Sequence, residues 1–238
     1  MIITYKPVSD FIGWGEAEPF IQKLIVNNNI KSILEIGAGA NPSINPDFIT
    51  EHNLDYTIND VKTVELLKAD NIYNKLAADL SVPNVKAKIN IRFDLIFSRM
   101  VGEHIADGKS FHNNIYDLLN KGGYSLHCFS TLYTLPFIVN RILPDSITDY
   151  FLRKIAPRDE HKHGKFKAHY NWCRGPSKRM IKRMEHIGFS VLEYVGYFGH
   201  NYYEKIPPLK LLEKFKSKLL LEIPSPYLTS YAYVFLKK

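Results

Sequence analysis

Residues 33–40 (Ile-Leu-Glu-Ile-Gly-Ala-Gly-Ala) combine residue types that suit a ligand-binding turn. The segment places an acid, Glu35, near the end of an apolar strand, and Gly37 and Gly39 follow directly. Glycine has no Cβ, so it adopts positive φ and lets a ligand approach the main chain closely. Nucleotide-binding βαβ units use glycine in this way. Ordinary surface turns also contain Gly-x-Gly, so the flanking residues must decide between the two.

Two further carboxylates follow at distances that suit a βαβ unit. Residues 55–60 alternate as a strand does and end in Asp60, 21 residues after Gly39. A carboxylate at that point can accept hydrogen bonds from both hydroxyls of a ribose. Asp79 falls at the end of a third, weaker strand or just after it. Pro42 stands where the nicotinamide fingerprint has its third glycine, which argues against that class of site.

Two histidines are candidates for removing a proton from an acceptor, the usual task of a catalytic histidine. His104 follows a strand predicted over 93–98, and His200 follows one predicted over 189–198. Parallel strands end at the same edge of a sheet, so both face the ligand side. A structural Glu-His pair at a helix start is the alternative for His104. A loop histidine bonded to the backbone is the alternative for His200.

The elements that must position these residues alternate between strands and helices. Apolar runs and alternation predict the strands, amphipathic periodicity predicts the helices, and Asn-Lys-Gly-Gly predicts a turn at 120–123. The predicted strands are 33–36, 55–60, a weak one ending near 79, 93–98, 124–129, 189–198 and 227–236, and the predicted helices are 16–30, 110–119, 177–187 and 209–221.

In order and spacing, these segments resemble the class I S-adenosylmethionine-dependent methyltransferases. The resemblance runs from Ile33 to Phe129 and resumes near Met184. It implies an α/β fold with a Rossmann-like, seven-stranded, mostly parallel sheet and S-adenosyl-L-methionine as the cofactor. Its motifs are Glu35-Ile-Gly-Ala-Gly-Ala, Asp60, Asp79, Phe93-Asp94-Leu95-Ile96, Glu103-His104-Ile105 and Leu118-Leu119-Asn120-Lys121-Gly122-Gly123.

The resemblance assigns parts of the cofactor to groups of residues. The methionine part would lie against the glycine turn, the ribose and the adenine amino group against the next two strands, and the remainder against the end of the fourth strand. In that order the residues are Glu35, Gly37, Ala38 and Gly39; Asp60 and Val61; Asp79 and Leu80; and Ser98, Arg99 and Met100.

The positive charge is concentrated in one segment. Residues 153–183 contain eleven Lys or Arg and two acids, a net charge of +9, in a chain whose total is +7. A local excess of this size indicates a local anionic partner. The segment lies in an insertion, 131–183, that the minimal fold does not require, and a second insertion covers 201–226. We expect both to form a substrate-binding lid on a single domain, 1–238.

Histidines and aromatic residues within the insertions are candidate acceptor contacts. We favour recognition of a phosphate or carboxylate, with a ring stacked on an aromatic side chain. A solvated basic loop is one alternative. A metal site at Asp159, His161 and His163 is another, but the neighbouring lysines oppose it and we expect no metal. The candidate contacts are His161, His163, Lys165, Tyr170, Trp172 and Tyr203.

The first insertion also resembles methyltransferases of bacterial surface-glycan (capsule and lipopolysaccharide) biosynthesis. This second resemblance rests on Leu135-Pro136-Phe137 through Pro144, and on Lys165-Phe166 to Tyr170. It implies O-methylation of a sugar, or of a phosphate-linked group, on a surface-polysaccharide precursor. The expected partner is therefore an anionic small-molecule or glycan acceptor, with nucleotide- and phosphate-linked acceptors both in view.

Two other functions stay open. An RNA methyltransferase could use 153–183 to follow phosphates. Against it, 98–101 lacks the Asn- or Asp-Pro-Pro-aromatic motif of many base N-methyltransferases, and no RNA-binding module is recognisable. The other is a non-catalytic or membrane-peripheral protein whose apolar segment 132–152 adjoins the basic one. We expect no DNA partner.

Composition favours a cytoplasmic protein. The chain has no run of about 18 apolar residues, and its first residues lack a charged start followed by an apolar core. Cys128 and Cys173 form neither a metal pattern nor a disulfide framework. A reducing compartment suits such a chain.

Overall fold

One eight-stranded sheet organises the computed structural model, which describes residues 1–87, 89–132, 134, 138 and 167–238. The strands are β1 (Ile2–Pro7), β2 (Ser32–Ile36), β3 (Asp55–Asp60), β4 (Asn74–Ala77), β5 (Phe93–Arg99), β6 (Leu119–Ser130), β7 (Ser190–Phe198) and β8 (Tyr231–Lys237). The helices are α1 (Ala17–Asn27), α2 (Pro46–Glu51), α3 (Thr63–Leu66), α4 (Gly108–Leu118), α5 (Lys178–Ile187) and α6 (Pro207–Glu222). Short 3₁₀ turns cover Val8–Asp10, Val85–Ala87, Gly102–His104 and Pro226–Leu228.

The strand order is β1-β7-β8-β6-β5-β2-β3-β4. All neighbours are parallel except β8, which runs antiparallel to both β6 and β7. The chain builds outward from β2 through β3 to β4, then crosses back to β5 on the other side of β2. In open parallel sheets a ligand binds beyond the carboxyl ends of the strands, at this reversal. We call the side where β2 to β5 end, at Ile36, Asp60, Ala77 and Arg99, the carboxyl edge.

The central strands are apolar and buried. Ile33 and Leu34 of β2 and Leu95, Ile96 and Phe97 of β5 are completely buried. Continuous apolar runs of this kind are typical of parallel strands buried on both sides. The edge of the sheet that carries the polar turns is thereby set on a rigid core.

The predicted Rossmann-like, mostly parallel sheet is confirmed, with two differences in detail. It has eight strands rather than seven, because Ile2–Pro7 pairs parallel to β7 as an added edge strand. Four of its six residues are exposed, so it carries little of the alternation that reveals a strand. The turn predicted at 120–123 lies inside β6. The pairing with β5 there steps from Phe93–Leu119 to Leu95–Tyr124, and Gly122 takes a φ of 79° in the irregularity.

The two predicted insertions are described to different extents. Most of 131–183 lies outside the described residues. Where the chain is described again, the backbone nitrogens of His169 and Tyr170 donate to the carbonyl of Glu103, at 2.7 and 2.9 Å. The second insertion contains α6. Within the described ranges, no helix combines the length and the apolarity that crossing a membrane requires. The single-domain organisation stays a prediction.

The backbone around Gly175 leaves no room for a side chain at this position. A Cβ at this position would lie 2.1 Å from the carbonyl oxygen of Pro226 and 2.5 Å from Thr229 Oγ1. We expect Gly175→Ala to lower the free energy of unfolding by about 1–3 kcal/mol, the usual cost of overpacking. Urea denaturation measures the change. Gly15→Ala is the matched control, because nothing lies within 4 Å of a Cβ there. Equal stability of the two variants would contradict the prediction.

Candidate functional site

The glycine turn after β2 has the geometry that the sequence predicts. Gly37 and Gly39 take φ values of 71° and 52°, in the left-handed region that favours glycine. A Cβ at Gly37 would lie 2.4 Å from Val101 Cγ2, so the chain after β5 closes directly over this turn. The backbone nitrogen of Ala38 donates to the carbonyl of Asn59 on β3 at 3.1 Å. The turn is therefore held against both neighbours of β2.

Glu35 supports this turn from beneath. Its side chain is buried and accepts hydrogen bonds from the Ser43 backbone nitrogen at 2.9 Å, from the Ser43 hydroxyl and from the Tyr56 hydroxyl at 2.7 Å. Burial raises the pKa of the Glu35 carboxyl, and the hydrogen bonds and the nearby Arg99 charge offset this only in part. All three donors come from the protein, and together they tie the end of β2 to Ser43 and to β3.

Asp60 lies beside the glycine turn, as the spacing predicts. It ends β3, and its Oδ2 would be 3.3 Å from a Cβ on Gly39. Its Oδ1 accepts from the backbone nitrogen of Lys62 at 2.8 Å, which orients the carboxylate. Val61 follows in an exposed position. The glycine turn and Asp60 thus form one surface, although Gly39 and Asp60 are 21 residues apart in the sequence.

Asp79 stands at the same edge, two residues beyond β4. Asp60 and Ala77 are register partners, and the Ala78 nitrogen donates to the carbonyl of Asp60 at 3.2 Å. The exposed Asp79 carboxylate accepts from the backbone and hydroxyl of Ser81 through Oδ1. Leu80 is buried next to it. Two carboxylates therefore line the β3–β4 side of the carboxyl edge.

The residues at the end of β5 complete this edge. Ser98 is buried, and its hydroxyl is 2.8 Å from Nδ1 of the buried His127. Arg99 Nε is buried and has no hydrogen-bond partner in the described part of the chain. Met100 takes a φ of 54°, rare for a residue with a side chain, and its nitrogen donates to the Cys128 carbonyl at 2.8 Å. Backbone strain of this kind is typical of functional turns.

His104 lies in the 3₁₀ turn that follows β5, on the same edge. Its Nδ1 is 3.2 Å from the carbonyl oxygen of Lys167. A carbonyl accepts only, so Nδ1 carries the proton and Nε2 has the lone pair of the neutral ring. This tautomer leaves the proton-accepting nitrogen on the side away from Lys167.

Glu103, beside His104, is a buried acid that the sequence reasoning did not select. Its Oε1 accepts from the hydroxyl of Ser130 at 3.0 Å, and its buried Oε2 has no partner among the described residues. Burial is the largest influence and raises the pKa of this carboxyl, while the nearby His104 lowers it less. The sequence shows Glu103 as part of the Glu-His-Ile motif, but no feature of the sequence indicates that its carboxyl is buried.

His200 occupies a different environment. Its Nδ1 accepts from the Tyr202 backbone nitrogen at 3.3 Å, and its Nε2 lies 3.4 Å from Glu213 Oε2 on α6. The second contact is an ion-pair distance rather than a well-formed hydrogen bond. The His200 side chain is 1% exposed. The lone pair of the neutral ring is already used, and three strand spacings, roughly 14 Å, separate β7 from β5.

The predicted acceptor contacts separate into three groups. His161, His163 and Lys165 lie outside the described residues. Tyr203 follows β7, with its ring centroid 4.7 Å from that of His200. Tyr170 and Trp172, both at positive φ, lie where the chain returns to the fold, Tyr170 buried and Trp172 partly buried. The structure thus brings Tyr170 near Glu103, and it places Tyr203 beside His200 on the α6 side.

Two adjoining cavities of about 390 and 680 Å³ lie around Trp172. Trp172, Arg179 and Arg183 line both, so we treat them as one feature, the basic groove. The Arg183 guanidinium lies 5.1 Å from the centre of the Trp172 ring. Of the described residues that line the groove, none is Asp or Glu, and its Lys and Arg residues are Lys109, Arg174, Lys178, Arg179, Lys182 and Arg183.

The charges in the basic groove repel one another. Partial burial, with the charges of Arg179 and Arg174, lowers the pKa of Arg183. The Arg174 side chain donates to the carbonyls of Tyr170 and Cys173 at 2.6 and 2.8 Å, which fixes it at one end. Like charges held together destabilise the isolated protein and favour an anion between them. The charge of the sequence identified this basic segment, but it did not show which of the cationic side chains lie close together.

Solved structures of similar fold include S-adenosylmethionine-dependent methyltransferases. A methyltransferase from Clostridium acetobutylicum matches with a TM-score of 0.53 and 15% identity, over 96% of this chain and 92% of that one. The N-methyltransferase NodS from Bradyrhizobium japonicum, in complex with S-adenosyl-L-homocysteine, matches at 0.50 and 13%, over 96% and 89%. The cyclopropane synthase MmaA2 from Mycobacterium tuberculosis matches at 0.52 and 16%, over 94% and 85%.

These likenesses establish the class I methyltransferase fold. No protein-family profile matches the chain, and no curated protein matches it either. Identities this low carry the fold and leave the reaction open. One neighbour is an N-methyltransferase and another is a cyclopropane synthase, so the fold alone does not select the reaction.

The burial of Glu103 predicts a specific pH dependence of stability. Its folded pKa lies above the ordinary value of 4.5, so its favourable contribution is complete below that value and is lost as the pH rises through the folded pKa. Glu103→Gln cannot ionise, so the variant should gain stability relative to the wild type as the pH rises from 4.5. Urea denaturation between pH 4.5 and 8 measures this difference. A difference that stays constant with pH would contradict the assignment.

Proposed function

We propose that this chain is an S-adenosyl-L-methionine-dependent methyltransferase. The observation that carries the proposal is the surface formed by the positive-φ turn at Gly37 and Gly39 and the Asp60 carboxylate next to it. It lies at the carboxyl edge of a class I methyltransferase fold, where such a sheet binds its ligand. The Asp60 and Asp79 positions support the assignment of ribose and adenine contacts that the sequence resemblance implies.

The residues at the edge fit this cofactor. The Asp60 and Asp79 carboxylates accept hydrogen bonds, as hydroxyl and amino groups require. The partnerless, buried Arg99 Nε is a donor that suits the carboxylate of an amino acid. Glu35 would act through the turn, because its oxygens are bound by Ser43 and Tyr56. When bound, the cofactor supplies an electrophilic methyl group on a sulfonium.

The chain itself would align the acceptor and remove its proton. In-line transfer depends chiefly on holding the reacting atoms about 3–3.5 Å apart without water. Of the two candidate bases, His104 is better placed, since it follows β5 at the carboxyl edge, whereas His200 follows β7, three strands away. The lone pair of His200 is already bonded to the Tyr202 nitrogen. Positioning of α6 through Glu213 accounts for His200 better than catalysis does.

We propose an anionic acceptor, held by the basic groove. Arginine forks bind phosphate and carboxylate in bidentate geometry, and three arginines line the first cavity. Tyr170 and His169 also line it, and their backbones are bonded to Glu103, which connects the groove to the carboxyl edge. O-methylation of a sugar or phosphate-linked group of a surface-polysaccharide precursor, in the cytoplasm, is the finer form of this proposal.

Substitution of Asp60 tests the cofactor site. Asp60→Ala removes a hydrogen-bond acceptor for the ribose, so we expect calorimetric titration with S-adenosyl-L-methionine to show at least tenfold weaker binding, about 1.4 kcal/mol. Glu51→Ala is the control, because Glu51 is an exposed acid at the end of α2. No binding to the wild type, or an equal loss in both variants, would remove the basis of the proposal.

The acceptor site has a separate test. Arg179→Gln with Arg183→Gln should weaken binding of inorganic pyrophosphate at least tenfold, because both arginines line both cavities. Lys6→Gln with Lys23→Gln changes the net charge equally at exposed positions elsewhere. Calorimetry at fixed ionic strength reports both. Equal loss in the two pairs would show a non-specific charge effect and contradict the groove. Tighter binding of an RNA oligonucleotide than of sugar phosphates would favour RNA as the acceptor.

A further inference from the structure

The outer face of α6 is apolar and exposed along its whole length. Successive residues of an α-helix are 100° apart, so residues four apart share a face. Leu211 and Phe215 are 71% and 67% exposed, and Leu219 continues the same row at 47%. Leu212, beside that row, is 63% exposed, and Ile223, directly after the last residue of the helix, continues the row at 71%. We call these five side chains the outer face of α6.

The opposite side of the helix attaches it to the sheet. Glu213 and Leu220 are its buried residues, and Glu213 lies against His200 and accepts an ion pair from Lys216 at 2.6 Å. A Cβ at Gly199 would lie 3.1 Å from Ser217 Oγ, so this side is packed closely on the end of β7. The helix therefore has a fixed orientation, and its outer face is presented to the surroundings rather than left over from poor packing.

Lysines adjoin the outer face of α6. On the helical projection Lys214 and Lys218 lie beside Leu211, whereas Lys216, beside Ile223 on the other side, is paired with Glu213. Lys214 and Lys218 are exposed. Long lysine side chains at the border of an apolar surface place their charge at the level of lipid headgroups. Glu222, at the end of the helix, is the acid that shares this side.

We propose that α6 lies in the interface of an anionic lipid membrane, with its outer face in the acyl region. A helix with apolar residues on one side and lysines at its borders binds in this manner without crossing the bilayer. The 16-residue helix is about 24 Å long, so several headgroups lie beneath it. Charge complementarity selects this occupant over a second copy of the chain. Two copies would bring the flanking lysines into one shared border without an excess of acids.

Membrane binding by α6 does not depend on the proposed reaction, but it would affect which acceptors can reach the basic groove. α6 begins nine residues after β7 ends, at the edge of the sheet where β5 also ends. Tyr227, five residues after α6, lines the basic groove and is 55% exposed. A membrane under α6 would therefore lie close to one end of the groove, so that a lipid-linked anionic acceptor could reach it.

Vesicle co-sedimentation of the full chain tests the proposal. We expect the wild type to bind vesicles that contain phosphatidylcholine and phosphatidylglycerol. It should bind vesicles of phosphatidylcholine alone more weakly. Leu211→Ser with Phe215→Ser should lower the partition coefficient at least tenfold. Val64→Ser with Leu67→Ser is the matched control, because Val64 in α3 and Leu67 just after it are 67% and 69% exposed. All four sites are exposed, so folding is expected to persist, and thermal unfolding checks it.

The proposal would be overturned by absence of vesicle binding by the wild type, by equal binding by both serine pairs, or by a dimer in sedimentation velocity that the α6 pair alone dissociates. Lys214→Gln with Lys218→Gln should reduce binding to the anionic vesicles only, and loss on both vesicle types would also contradict the charge argument. The cofactor titration described above is unaffected by any of these outcomes, so failure here is separable from failure of the proposed reaction.

Discussion

The buried carboxylate of Glu35 is the interaction on which the carboxyl edge depends. A buried charge is costly unless donors surround it. Here one donor pair comes from Ser43, beyond the glycine turn, and another donor comes from Tyr56 of β3. The same group therefore joins β2, β3 and both ends of the turn. Since the turn is pinned, Gly37 and Gly39 keep their positive φ, and Asp60 stays beside them.

Glu103 plays a comparable structural part on the other side of β5, but only half of its carboxylate is satisfied. Ser130 at the end of β6 binds Oε1, and the backbone carbonyl receives the returning chain at His169 and Tyr170. Both oxygens of Glu35 have donors from the fold itself. An acid with one buried, partnerless oxygen retains a capacity that a ligand with a donor group can use. The two buried acids at this edge therefore differ: both oxygens of Glu35 have donors, whereas one oxygen of Glu103 has none among the described residues.

The sequence predicted what depends on short stretches of chain and missed what depends on distant contacts. β3 begins and ends as predicted, since alternation and a terminal acid are local signals. The adjacency of Gly39 and Asp60 follows from the length of one crossover. By contrast, the inward orientation of Glu35 depends on Ser43 and Tyr56, and the edge strand β1 depends on pairing with β7 near the other end of the chain.

His104 and His200 differ in surroundings that the type of a residue and its place after a strand do not reveal. Both histidines follow strands that end at one edge, so local reasoning ranks them nearly equally. The distinction lies in which ring nitrogen holds the lone pair, and Lys167, Tyr202 and Glu213 decide it. Glu213 is on α6, so its contact with His200 joins the exposed apolar helix to the end of β7. Close packing of Ser217 against Gly199 holds the helix at the same place.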